Sequence, residues 1–335
     1  MRNRDLVLVS NFKKMEQASS HESGIRHEYI QDGSWEFIRK CLRADIVVLN
    51  VDQRKLMLAS LLKWVLPLLR FKLISVDLIL RPPKNLGDRI KALSRRIMFS
   101  RVDRFILYFK DLTGYQKFYG IGAERAVYVP FKVNGWELIS SAKSDATSAG
   151  EYVLCAGRTL RDIETFVRAM ERIGCPGVLL QQQKEILSAH GTAAWSGKLP
   201  PNVRLIVDNG DSIQAFHEFI KRARLVVIPR FRRDIAATGI STYMVAMALQ
   251  KCVVISEGPG AGDVLSDQAV IVPPEDVNKL AEQISLLWED PQLRSEIAKR
   301  GRKYAETLGG DNRLLSDILR ASILYLHEAR PRLQE

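Results

Sequence analysis

The stretch Leu225–Ser256, LVVIPRFRRDIAATGISTYMVAMALQKCVVIS, constrains this chain more than any other. Its β-branched runs LVVIP and CVVIS suit strands buried on both faces, and the Ala- and Met-rich ISTYMVAMALQK between them suits a helix. Strand, helix and strand so closely spaced form a crossover, which requires a parallel sheet. Ligands of such sheets sit beyond the carboxyl ends of the strands. That edge carries Arg230, Arg232, Arg233, Asp234, Thr238, Gly239, Ser241 and Thr242. Gly239 allows close backbone approach, and Ser241 or Thr242 can cap the following helix. A helix start with free N–H groups beside arginines suits phosphate. The plainer alternative is a capped helix after an ordinary loop.

The same alternation runs through the rest of the 335 residues, enough for two domains. The first half offers strands at DLVLVSN, ADIVVLN, KLISVDLIL, RFILYF and AVYVPF, with a polar loop, FKKMEQASSHESG, after the first. Helices are expected near Ser34–Arg43, over Asp52–Arg70 and over DLTGYQKFYGIG. The apolar part of the second, Leu56–Leu69, is interrupted by Lys63 and Pro67 and falls short of the roughly twenty residues of a membrane span. It reads as a helix buried against the sheet. Gly135–Gly150, rich in Ser, Ala and Gly, reads as a linker. The expected division is a Rossmann-like domain over 1–134, a linker over 135–150, a second Rossmann-like domain over 151–310 and a C-terminal helix over 311–335.

The net charge of +12 is unevenly placed. Residues 1–134 hold 25 Lys+Arg and 13 Asp+Glu, and the remainder holds 25 of each. The window Arg81–Arg104 alone has eight basic residues against two acidic ones. Ile90, Leu93, Ile97 and Met98 recur there at helical spacing among Arg89, Lys91, Arg95 and Arg96, the pattern of a basic amphipathic helix on an anionic lipid surface. The alternative is a solvated helix packed by its apolar stripe. Little aromatic interleaving and no binding motif argue against nucleic acid. Cys41, Cys155, Cys175 and Cys252 lie far apart, so reduced buried thiols in a cytosolic protein are expected rather than disulfides or a metal site. Met1–Ser10 is too short in its apolar run for a signal peptide and reads as a first strand.

Four segments resemble, in order, the GT-B glycosyltransferases, specifically the retaining enzymes of family 4: AGRTLRD, RARLVVIP, AATGISTYMVAMALQKCVVIS and DQAVIVPPEDVNKLAEQISLLWEDPQLRSEIAKRG. The resemblance runs from about Glu151 to Glu306 and implies a GT-B fold, two Rossmann-like domains facing a central cleft. It implies a nucleotide-diphosphate sugar as donor, held mainly by the second domain, with no cofactor and no metal. Arg158 and Arg161 then fall where basic residues neutralise the diphosphate, Gly239, Ser241 and Thr242 at the loop and helix start approaching phosphate and sugar, and Asn209 and Gly210 near the base. Arg230 and Thr238 join this donor set. The family's two glutamates, eight positions apart, are Ala237 and Val245 here, and its N-terminal glycine-rich loop and acceptor-side histidine have no counterpart. Asp234 is the candidate to substitute for a lost carboxylate, the alternative being a loop Asp that caps its own backbone. The expectation is sugar transfer to a glycan or lipid-linked acceptor by a cytoplasmic protein peripheral to the inner face of the membrane. The alternative, motivated by Ala237 and Val245, is a non-catalytic GT-B module partnering an active transferase.

Overall fold

The computed structural model describes residues 5–20, 24–31, 33–141, 150–209 and 212–328. The chain forms two compact units, one of Met1–Pro130 with Asn312–Glu335 and one of Phe131–Asp311.

The first unit holds β1 (Leu6–Ser10), α1 (Met15–Ser19), β2 (Ile25–Tyr29), α2 (Ser34–Cys41), β3 (Ile46–Asn50), α3 (Gln53–Val65), β4 (Lys72–Val76), α4 (Leu86–Phe99), β5 (Arg104–Leu107), α5 (Thr113–Tyr119) and β6 (Ala126–Tyr128). Its strands pair in parallel in the order β2-β1-β3-β4-β5-β6. The polar loop expected after the first strand ends in β2, and α1 lies within it. IRHEY escapes a hydrophobicity reading because it is an edge strand, where one neighbour and partial burial suffice.

The helix over Asp52–Arg70 also differs from expectation. Asp52 caps α3 by accepting the Lys55 N–H at 2.9 Å, and the helix stops before Pro67. Only Leu56, Ala59 and Ser60 of α3 are buried, whereas Trp64, Val65, Leu66 and Leu68 face solvent, Leu68 at 91%. Pro67 ends the helical ladder, so the apolar residues after Ser60 leave the sheet they were expected to cover.

The second unit holds α6 (Trp136–Ser141), β7 (Tyr152–Ala156), α7 (Ile163–Met170), β8 (Gly177–Gln182), α8 (Lys184–Ala189), β9 (Val203–Asp208), α9 (Ile213–Arg222), β10 (Ala223–Ile228), α10 (Ile240–Ala248), β11 (Cys252–Ser256), β12 (Val270–Val272), α11 (Val277–Glu289) and α12 (Pro291–Leu308). The segment read as a linker thus opens with α6. The parallel sheet has the order β12-β11-β10-β7-β8-β9. Strand order reverses at β7, with β8 on one side of it and β10 on the other. Val153, Cys155, Leu225, Val227 and Val254 pack on Phe166 and Met170 of α7 and on Ile284 and Leu287 of α11. Apolar contact of this kind is worth about 25 cal/mol per Å2 buried, so this layer holds the carboxyl edges of β7 and β10 in place. All four cysteines are free and buried, as expected. The last helix, α13 (Asp311–Glu328), carries the chain back to the first unit, where Arg104 stacks on the Tyr325 ring at 4.6 Å.

Candidate functional site

The carboxyl ends of β7 and β10 are neighbours at the point where strand order reverses, so their loops meet there. Arg161 and Arg230, one from each loop, pair through an antiparallel backbone bridge. Both side chains are buried. Arg161 donates from Nε to the Ala156 carbonyl at 3.2 Å and from a terminal nitrogen to the Thr159 carbonyl at 2.7 Å. Arg230 donates its terminal nitrogens to the carbonyls of Pro259 at 2.9 Å and Ala236 at 2.8 Å. Burial pulls the Arg161 guanidinium down to about 10 and lowers Arg230 as well, against the raising pull of Asp234. Two buried cations near one another are costly, and Asp234 is the carboxylate whose charge favours both.

Arg158 differs from both. It leaves the end of β7 exposed, and its side chain makes no hydrogen bond or ion pair among the described residues. Its carbonyl accepts the Thr192 hydroxyl at 2.6 Å, and Thr192 Oγ1 in turn accepts the Arg161 N–H at 3.0 Å, so the turn is braced while the guanidinium stays available.

Gly239 opens α10 at φ +93°, a left-handed value that side chains rarely adopt. A Cβ there would lie 2.7 Å from Ile228 Cγ2 and 3.3 Å from the Arg161 guanidinium. Ser241 and Thr242 do not cap the helix: Ser241 Oγ accepts from Asn134 Nδ2 at 2.6 Å, and Thr242 is buried in the first turn. The N–H groups at the start of α10 therefore lack a side-chain cap. Gly239→Val is expected to cost about 2–4 kcal/mol through backbone strain and the Ile228 clash, read as a lowered Tm. A melting point equal to wild type would show the loop to be freely adjustable.

Buried polar atoms without partners cluster in the same loop: Arg230 Nε, Asp234 Oδ2 and Thr238 Oγ1. Burial raises the Asp234 carboxyl to about 6, against the lowering effect of Arg230 and Arg233. Asn209 is exposed and faces Gln183 Nε2 at 3.4 Å, at the end of β9 on the sheet's edge and away from the β7–β10 junction. Gly210 lies outside the described residues. Ala237 lies beside Gly260, whose Cβ would fall 2.5 Å from that of Ala237, and Val245 is buried at 1% exposure in α10.

A third loop joins this edge without having been singled out. After β11 the chain runs Glu257-Gly258-Pro259-Gly260-Ala261-Gly262-Asp263, with Gly258 at φ +142° and Gly260 at φ +78°. A Cβ on Gly258 would press on the Arg230 guanidinium at 3.2 Å. The Tyr243 hydroxyl donates to the Gly260 carbonyl at 2.9 Å, and Asp263 accepts the Gly260 N–H at 2.6 Å. Three glycines within five residues directly after a buried strand was the legible signal.

In the first unit, Arg89, Lys91 and Arg96 of α4 are exposed, whereas Arg95 is partly buried near Tyr119. Leu86, Ile90, Leu93 and Ile97 are exposed too, Ile90 at 62%, while the face toward the unit is Ala92 and Phe99. Among the described residues no helix is long and apolar enough to cross a membrane.

Residues 194–304 match the family model of glycosyl transferases group 1. A sequence search of curated proteins finds no match. Among solved structures, the chain is similar to sucrose-phosphate synthase from Thermosynechococcus elongatus (TM-score 0.66, 14% identity, covering 97% of this chain and 100% of that one). It is similar to Anabaena Alr3699/HepE in complex with UDP (TM-score 0.65, 12% identity, 96% and 99%). A third is WaaG, a glycosyltransferase involved in lipopolysaccharide biosynthesis (TM-score 0.60, 13% identity, 95% and 99%). The protein has the GT-B fold, and the segment that builds its β10–β11 edge matches the group 1 glycosyl transferase model.

Proposed function

We propose that the protein is a retaining glycosyltransferase that moves a sugar from a nucleotide-diphosphate donor to a glycan or lipid-linked acceptor, without a metal. The observation that carries this reading is the exposed Arg158 beside Arg161 and the uncapped, left-handed start of α10 at Gly239. A diphosphate seated there receives N–H groups from α10 and a free guanidinium. Both strengthen as charge grows on the departing phosphate, which is the condition for lowering the barrier rather than merely binding. Asp234 supplies the one carboxylate of the loop. The UDP bound to Alr3699/HepE and the lipopolysaccharide context of WaaG support the donor and acceptor classes. Calorimetry with nucleoside diphosphates, followed by donor hydrolysis, tests the reading. Binding with slow hydrolysis is expected, and binding without any turnover would favour a non-catalytic partner subunit.

The acceptor is reached at an anionic membrane surface. Leu86, Ile90, Leu93 and Ile97 of α4 adjoin the exposed end of α3, where Trp64 donates to the Ile97 carbonyl at 3.3 Å and carries Arg101 on its ring at 4.0 Å. Apolar side chains ringed by Arg89, Lys91, Arg96 and Arg101 suit the boundary of headgroup and acyl chain. Each basic residue near such a surface contributes about 1 kcal/mol, so changing Arg89, Lys91 and Arg96 to Gln is expected to weaken binding to anionic liposomes roughly a hundredfold. Equal co-sedimentation of variant and wild type, or none by wild type at low salt, would remove the membrane from the account.

A further inference from the structure

In the first unit, β3 and β4 lie at the middle of the sheet and leave it in the same unusual way. Residues Asn50 and Val76 are paired, and the next residue of each strand is left-handed, Val51 at φ +54° and Asp77 at φ +51°. Neither is glycine, and a β-branched residue in that region is a true outlier. The ladder nevertheless continues, Val51 N–H donating to the Val76 carbonyl at 3.1 Å and Asp77 N–H to Ile106 at 3.0 Å.

The loop beyond Asp77 is pinned from behind. Gln53 Nε2 donates to the Ile79 carbonyl at 3.2 Å. The buried Tyr115 hydroxyl accepts the Leu80 N–H at 3.1 Å and donates to the Leu78 carbonyl. Tyr119 donates to the Arg81 carbonyl. Asp77 is thus presented on a rigid turn at the carboxyl edge, where parallel sheets place ligands.

Its carboxylate, however, has no partner among the described residues. Asp52 has Lys55, Asp103 has Lys63 and Lys72, and Asp45 accepts the Val7 N–H. Asp77 is partly buried beside Tyr108 and Tyr115, and burial pushes it up to about 6 with no cation to oppose it. In a half-chain with 25 Lys+Arg against 13 Asp+Glu, leaving one half-buried carboxylate without a basic neighbour, on left-handed backbone, favours function over stability.

We propose that Asp77 accepts a hydrogen bond from a hydroxyl of the sugar acceptor and so orients a neutral, polyhydroxylated part of it. This rests on the glycosyltransferase reading above. A phosphate or carboxylate of the acceptor is repelled at Asp77, so any acidic group it carries is bound elsewhere. Asp77 touches the acceptor and has no part in holding the donor.

The test uses Asp77→Gly and Asp77→Ala in the full chain, with neutral alkyl glycosides as acceptors and the donor that wild type hydrolyses. Asp77→Gly is expected to melt no lower than wild type, because glycine relieves the left-handed strain and the half-buried, unpaired carboxylate is gone. Both variants are expected to bind nucleoside diphosphate and hydrolyse donor as wild type does, yet to lose transfer to glycosides at least a hundredfold in kcat/KM. Transfer at the wild-type rate overturns the proposal, as does a Tm for Asp77→Gly several degrees below wild type. So does a wild type that hydrolyses donor but glycosylates no neutral glycoside. Failure of the parent reading looks different: wild type then neither binds nucleoside diphosphate nor hydrolyses a donor.

Discussion

Replacing Arg158 by alanine is expected to weaken binding of a nucleoside diphosphate about ten- to a hundredfold while leaving binding of the bare nucleoside unchanged. A hydrogen bond from a charged group is worth roughly 1.5–3 kcal/mol, and each 1.4 kcal/mol is about a factor of ten. The exposed Arg158 side chain makes no hydrogen bond or ion pair among the described residues, so the melting temperature should stay at the wild-type value. Calorimetry with the nucleoside and its diphosphate, beside a thermal melt, separates the outcomes. Equal losses for both ligands would place Arg158 away from the phosphates, and a lower Tm would make it structural.

Arg230→Ala is expected to do the opposite, unfolding the edge before any ligand is added. The guanidinium spans two loops, one terminal nitrogen on Pro259 after β11 and the other on Ala236 before α10, and it is 1% exposed. Its removal strands two carbonyls, leaves a cavity under Gly258 and deprives buried Asp234 of its largest stabilising charge. Breaking a buried charge network of this kind costs about 3–5 kcal/mol. For a unit of this size that lowers Tm by roughly 6–20 °C. A Tm within two or three degrees of wild type, measured alongside a large loss of nucleotide binding, would show that Arg230 serves the ligand rather than the loops.

The two arginines also mark where a sequence can be read and where it cannot. The alternation of β-branched runs and helices located most of the parallel strands, because burial on both faces leaves a composition that few other structures share. β2 was missed because an edge strand needs no such composition. Arg158 and Arg230 look alike in sequence, each following a buried strand. Only coordinates distinguish a guanidinium with every terminal nitrogen engaged from one with none. The exposed apolar end of α3 was read as core because amino-acid type reports the tendency to be buried, not whether anything covers the residue. Asp77 gave no signal at all, since a left-handed φ at an aspartate and the lack of a basic neighbour both arise from tertiary structure.

The return of α13 to the first unit has a consequence for biosynthesis. Because Tyr325 stacks on Arg104, the first unit is assembled from both ends of the chain, whereas the second is one continuous segment. Synthesis proceeds from the N-terminus, so the later-made Phe131–Asp311 has all its strands before the earlier-made unit has its last helix. The nascent chain therefore matures out of order. The exposed basic and apolar residues of α3 and α4 leave the ribosome while their own unit still awaits α13.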